Sequence, residues 1–113
     1  MAKEKENYLD YIPKRNERFS WEKKENGLVV IKVANTGFFN RIAQLIFRKP
    51  KFSFIDLDEF GSFIWMQIDG QRTVYEIGVA VKNKFGDKAE PLYERLAKYF
   101  QILDSYSFVE WKE

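Results

Sequence analysis

One segment constrains the fold more than any other, because it encodes two helices joined by a tight turn: DEFGSFIWMQIDGQRTVYEI. Asp58 opens it as a helix N-cap, and the apolar residues that follow recur at helical spacing. Gly70 ends the first helix, since glycine readily adopts the left-handed conformation that a helix C-terminus often needs. Thr73 and Glu76 then have the spacing of a capping box for the second helix. The segment therefore predicts a helix-turn-helix-like unit, with helices at 58–68 and 73–85.

Extended segments around this unit predict a small sheet. The first two strands are predicted at 19–21 and 28–33, joined by a turn at Glu25-Asn26-Gly27. Asn-Gly is the favoured pair for a tight hairpin, since both residues accept positive φ. A third strand is predicted at 52–57, and a short terminal strand or extended segment at 108–111. Side chains of the third strand alternate between two faces, with Phe52, Phe54 and Asp56 on one and Ser53, Ile55 and Leu57 on the other.

A third helix follows the capped pair. Asp87 can cap it, with Glu90 three residues later and Pro91 in the first turn, where a missing amide is tolerated. It ends near Asp104. Together these elements predict an α+β fold, in which a small three-stranded antiparallel sheet packs on a three-helix winged helix-turn-helix-like bundle.

The predicted domain covers residues 17–113, behind a partly disordered N-terminal tail at 1–16. An apolar island lies within this tail, at Tyr8, Leu9, Tyr11, Ile12 and Pro13. It can fold back on the domain or act as a short linear contact, and we favour folding back.

Residues 38–49 predict an extra short helix inserted between strands 2 and 3. Phe39, Ile42, Ala43 and Ile46 lie on one of its faces, and basic residues follow at 48–51. Three roles remain open for this insert: it caps one end of the sheet, which we favour, it docks on a partner enzyme, or it binds a membrane surface.

Composition excludes several functional classes. The 113 residues include no cysteine and no histidine, so disulfides, iron–sulfur clusters, haem and Cys/His zinc sites are not expected. Nucleophile–base pairs that use those residues are absent as well, and we expect a protein that is not an enzyme and holds no metal or cofactor. The chain has neither a signal-peptide pattern nor an apolar run of about 18 residues, which predicts a cytoplasmic protein with no membrane partner.

The helical segment also resembles a known family. Matching residues are Leu57-Asp58-Glu59, Phe63-Ile64-Trp65, Ile68-Asp69-Gly70, Thr73-Val74 and Glu76-Ile77. They are similar to the PqqD-like run L-N-x-x-A-x-x-I-W-x-L-I-D-G-x-x-T-V-x-E-I, and the resemblance covers about residues 52–104. Members of this family, also called RiPP recognition elements, bind the leader of a ribosomally made precursor peptide. The insert departs from the family pattern, and a helix there could block the edge of the third strand.

The resemblance implies a non-catalytic adaptor with two partners, a precursor leader peptide and a modifying enzyme, typically a radical SAM enzyme. The leader would add a strand beside the third strand and pack against the third helix. The implied peptide-binding residues are Phe52, Ser53, Phe54, Ile55, Asp56, Leu57, Tyr93, Leu96, Ala97, Phe100 and Gln101, with Arg95 and Lys98 as charged contacts. The protein is expected to be a monomer or a homodimer, since two copies could pair through an open strand edge.

Two alternatives to the adaptor remain. A winged-helix protein could bind DNA, but the third helix carries Glu90, Glu94 and Asp104 against Arg95 and Lys98, and the net charge is only +2. We therefore expect no nucleic-acid partner. The same fold could also serve as a generic protein-interaction module, because fold does not fix function.

Overall fold

The computed structural model describes residues 9–34 and 52–112. Its strands are β1 (Ile12–Arg15), β2 (Ser20–Lys23), β3 (Val29–Ala34), β4 (Phe52–Asp56) and β5 (Val109–Lys112). Its helices are α1 (Glu59–Gln67), α2 (Val74–Phe85), a 3-10 helix (Gly86–Ala89) and α3 (Leu92–Ser105). The described residues therefore form a mixed α+β structure of three α-helices and two antiparallel sheets, one in the order β2-β3-β4 and one pairing β1 with β5. The predicted insert at 38–49 lies outside the described residues.

The β2–β3 hairpin confirms the predicted pairing and the predicted turn at 25–27, but only one of its two residues expected to accept positive φ does so. The amide of Lys24 donates to the Leu28 carbonyl at 2.8 Å and the amide of Gly27 donates to the Lys24 carbonyl at 2.8 Å, which encloses a three-residue loop. Only Gly27 has a positive φ, of 87°, whereas the Asn26 side chain accepts a hydrogen bond from the Leu28 amide. This arrangement matches the three-residue hairpin loop with a left-handed glycine rather than a two-residue turn.

Strand β1 shows that the described part of the apolar island, residues 9–13, folds back on the domain. Ile12–Arg15 pairs antiparallel with Val109–Lys112, so the two ends of the chain form one small sheet. The other side of this segment is fastened to the turn between α1 and α2, where the Gly70 amide donates to the Pro13 carbonyl at 3.1 Å and the Val74 amide donates to the Tyr11 carbonyl at 2.9 Å. The N-terminal segment thus joins the C-terminal strand to the turn between α1 and α2.

The predicted helix signals of α1 and α2 are confirmed. The Asp58 carboxylate accepts the Gly61 amide at 2.8 Å, as expected of the α1 N-cap. Thr73 and Glu76 form both hydrogen bonds of a capping box at the start of α2. Gly70 has a φ of 77°, the left-handed conformation that the sequence required.

The start of α3 corrects the prediction. Asp87 lies in the 3-10 helix and does not cap α3, whose N-cap is Pro91 with no side-chain hydrogen bond. The physical reason is the proline itself, because a residue before proline is displaced from helical geometry. Glu90 is accordingly extended, with φ −78° and ψ 144°, so one helix cannot run from Asp87 through Pro91.

The core lies between the three-stranded sheet and the helices. Its largest fully buried side chains include Trp65, Phe100, Phe108, Ile31, Ile64 and Ile68. Gly78 of α2 allows a close approach of α3, since a Cβ atom there would lie 2.9 Å from Cδ1 of Leu96. This packing fixes α3 relative to the rest of the domain.

Candidate functional site

Strand β4 forms one edge of the three-stranded sheet. Within residues 9–34 and 52–112 it is paired only with β3. The Leu57 amide donates to the Val29 carbonyl at 2.9 Å, and the register then makes Ile55–Ile31 the next hydrogen-bonded pair. Since such pairs alternate along an antiparallel ladder, the backbone amides and carbonyls of Phe54 and Asp56 point away from β3.

The side chains of β4 alternate as the sequence predicted. Phe52 and Phe54 face outward and are 40% and 60% exposed. Asp56 lies on the same face and pairs with Lys24 at 3.4 Å. Ile55 and Leu57 are partly buried and pack on the hydrophobic core. The strand thus presents an aromatic outer face and an aliphatic inner face next to its edge.

Helix α3 approaches the segment that follows β4. The Tyr99 hydroxyl donates to the Gly61 carbonyl at 2.7 Å. Burial raises the pKa of Tyr99, and the negative charge of Asp58 raises it further, so the phenol stays a neutral donor. One turn earlier, the Arg95 guanidinium lies over the ring of Phe60, 3.8 Å from its centroid. Arg95 and Tyr99 therefore form the face of α3 nearest to the C-terminal end of β4.

A buried serine joins the elements around this edge. Ser62 of α1 is 3% exposed, and its Oγ accepts the buried Val29 amide at 2.8 Å. The same hydroxyl donates to the Leu57 carbonyl at 3.2 Å. One side chain thus connects α1 to the start of β3 and to the residue just after β4, which fixes the strand edge relative to the helices.

The structure separates the predicted residues of α3 into different environments. Leu96 and Phe100 are fully buried in the core, and Ala97 is half-buried. Tyr93 is 48% exposed, and its ring lies near Gly78 of α2. Lys98 and Gln101 are exposed. The predicted site remains a prediction. Among these α3 residues, Arg95 contacts α1 through the ring of Phe60.

Two residues near the C-terminal end of β4, Phe60 and Tyr99, were not assigned to the site from the sequence. Arg95, Tyr99 and Ile102 follow one another at spacings of four and three, which places them along one face of a helix. That spacing was available in the sequence, but it did not reveal which face of α3 turns toward β4.

Neither a metal centre nor a membrane span is found in the described part of the chain. No three or more of its acidic residues cluster closely enough to hold a metal ion. None of its helices combines the length and the apolar character needed to cross a bilayer. The groups available for binding beside the β4 edge are backbone amides and carbonyls, apolar side chains and a few cations.

Comparison with known protein families shows which family the chain belongs to. The model of the family described as Coenzyme PQQ synthesis protein D (PqqD) matches residues 50–109, which is more than half of the sequence. The chain belongs to the PqqD family. This confirms the resemblance seen in the sequence. The match includes β4 and all three α-helices described above, whereas β1, β2 and β3 precede it. No curated protein and no solved structure matches the chain at a significant level.

Proposed function

We propose that this PqqD-family protein is a non-catalytic adaptor for a ribosomally synthesised precursor peptide. The leader of that peptide adds a strand to the outer edge of β4 and is presented to a separate modifying enzyme, typically a radical SAM enzyme in this family. The observation that carries the proposal is the β4 edge itself, where the backbone groups of Phe54 and Asp56 point away from β3. The same edge would allow a strand-mediated homodimer when no leader is bound.

The side chains around the edge fit an extended peptide. Leu57 and Tyr99 offer an apolar border on the side of the helices. Arg95 and Lys98 are cations on the same helix, suited to acidic side chains of a leader. Backbone pairing supplies affinity in this mode, and the neighbouring side chains supply selectivity.

We also propose that the protein has no catalytic activity. The PqqD family is a family of non-catalytic accessory proteins. Its description links it to the synthesis of the coenzyme PQQ, and we extend that to a role in a peptide-modification pathway. The reactive groups would then lie entirely in the partner enzyme.

Proline substitution at the edge tests strand addition directly. Asp56→Pro removes an amide that points away from β3, so the β3–β4 ladder stays intact. A carbonyl of the incoming strand, however, loses the donor that this amide would provide. Asp56→Ala is the matched control, since it removes the same carboxylate and keeps the amide. The probe is a synthetic leader taken from a short peptide encoded beside the gene of this protein, titrated by calorimetry.

We expect Asp56→Pro to weaken leader binding by about tenfold or more, the equivalent of one lost backbone hydrogen bond. Asp56→Ala should bind within about twofold of the wild type, because an exposed ion pair contributes little. Equal binding by all three proteins would exclude pairing at this edge. Circular dichroism of each variant checks that the fold is retained.

A further inference from the structure

The outer face of β4 is unusual for a strand at a sheet edge. Edge strands are commonly protected by charged residues, proline or bulges, because an exposed apolar edge promotes aggregation. Here two of the three outward side chains are phenylalanines, Phe52 and Phe54, and both are substantially exposed. The Lys32 ammonium lies 4.1 Å from the ring centroid of Phe52, which places a cation beside the pair. We expect another apolar group to cover this exposed aromatic surface when the protein performs its function.

The hydrogen-bonding register identifies what would make that contact. Phe54 directs its amide and carbonyl away from β3, so an antiparallel strand at this edge would place one residue directly opposite Phe54 in a hydrogen-bonded pair. Directly opposite residues of an antiparallel pair have their side chains on the same face, with Cβ atoms about 4.5–5.5 Å apart. The side chain opposite Phe54 would therefore lie against its ring on the outer face. The residue two positions along would meet Phe52 in the same way.

The residues on either side of the one opposite Phe54 would lie opposite Ser53 and Ile55, and they would point to the other side of the sheet. There they would meet the inner face of β4, where Ile55 and Leu57 pack on the core together with Tyr99. Apolar side chains thus lie on both faces beside the edge. A peptide that alternates apolar and polar side chains could satisfy only one of them.

We propose that the protein selects its peptide through both faces of the added strand, with Phe52 and Phe54 as the specificity-determining residues of the outer face. This inference rests on the proposed function. The ligand is a segment of about four consecutive apolar residues, with β-branched or aromatic side chains opposite the two phenylalanines. A second copy of the chain is the competing occupant of this face, and sedimentation of the wild type and Phe54→Thr distinguishes it from a peptide.

The experiment draws ligands from a random library, so the natural peptide need not be identified first. Displayed peptides of 12 random residues are selected on the full chain, on Phe54→Thr and on Tyr75→Thr. Threonine suits an exposed edge strand, so Phe54→Thr should fold. Tyr75→Thr is the matched control, because Tyr75 is an aromatic residue that is 49% exposed on α2.

We expect the wild type and Tyr75→Thr to enrich peptides with consecutive apolar residues. Phe54→Thr should enrich peptides whose apolar residues alternate with polar ones. In one selected peptide, the residues that face outward are replaced with serine. This replacement should weaken binding to the wild type about fivefold and should weaken binding to Phe54→Thr much less. Such coupling ties those peptide residues to Phe54 rather than to general hydrophobicity.

Three results would overturn the inference, and they differ from one another. If the wild type enriches alternating peptides and Phe54→Thr binds them equally well, the edge binds peptides but the outer face does not select them. If no peptide is enriched on any protein, the proposed function fails as well. If sedimentation shows a wild-type dimer that Phe54→Thr dissociates, while peptide preferences stay unchanged, the phenylalanines serve self-association.

Discussion

Replacing Ser62 with alanine tests how the β4 edge is held in place. The hydroxyl of Ser62 accepts the Val29 amide at 2.8 Å and donates to the Leu57 carbonyl at 3.2 Å. Both the serine and Val29 are buried, so water cannot replace the lost acceptor. The substitution would leave the Val29 amide buried without a partner, while removing only one oxygen atom.

The expected cost follows from that unpaired amide. A buried donor left without an acceptor costs about 1–3 kcal/mol. Alanine recovers up to about 0.5 kcal/mol through its higher helix propensity. We therefore expect the free energy of unfolding to fall by about 0.5–2.5 kcal/mol. For a domain of this size each kcal/mol lowers Tm by about 4–8 °C, so the shift should be easily measured.

Urea unfolding followed by circular dichroism measures this change, and Ser105→Ala is the matched control. Ser105 is also a helical serine, but it is exposed and its hydroxyl donates to the Ile102 carbonyl within α3. Its replacement should change the free energy of unfolding by no more than about 0.5 kcal/mol. If Ser62→Ala were as stable as Ser105→Ala, the serine would not join these elements as the structure indicates.

Three further predictions concern the turn and α3. Thr73→Ala should lower the free energy of unfolding by about 0.5–2 kcal/mol, since it removes one hydrogen bond of the α2 capping box. Denaturant unfolding measures this loss, and Glu76→Gln is the conservative comparison. Gly70→Ala should cost about 1–2 kcal/mol because its φ is 77°, and Gly70→Asn should cost less because asparagine tolerates this conformation; equal losses in thermal unfolding would contradict the strain argument. Because the pKa of Tyr99 is raised by burial, the folded protein keeps the phenol protonated while the unfolded chain releases its proton near pH 10. Its contribution to stability is therefore present below about pH 10 and should fall by about 1.4 kcal/mol per pH unit above it, a component that Tyr99→Phe should lack in urea titrations between pH 8 and 11.

Local features of this fold were predictable from the sequence because their causes are local. The caps at Asp58 and Thr73 need only a polar side chain a few residues from an unpaired amide. The alternation of β4 follows from the geometry of any strand. By contrast, the pairing of β1 with β5 joins Ile12 to Lys112, at opposite ends of the chain, and no short sequence pattern indicates it.

The candidate site was predictable in its strand and less so in its helix. The apolar residues of α3 cover more than half of its surface, so periodicity could not decide which of them fill the core. Packing decides it: Phe100 and Leu96 are buried, whereas Tyr99 reaches the Gly61 carbonyl beside the end of β4. The start of the same helix was misplaced because the effect of Pro91 on the preceding residue outweighs the cap signal at Asp87.

Amide hydrogen exchange tests the central claim most directly, because it reports on the backbone groups that an added strand would use. The amides of Phe54 and Asp56 point away from β3, whereas the Ile55 amide lies in a pair bonded to β3. With a saturating synthetic leader peptide encoded beside the gene, we expect exchange of the first two amides to slow by about tenfold or more, and that of Ile55 to change little. A leader that binds while the Phe54 and Asp56 amides exchange as fast as before would contradict strand addition at β4.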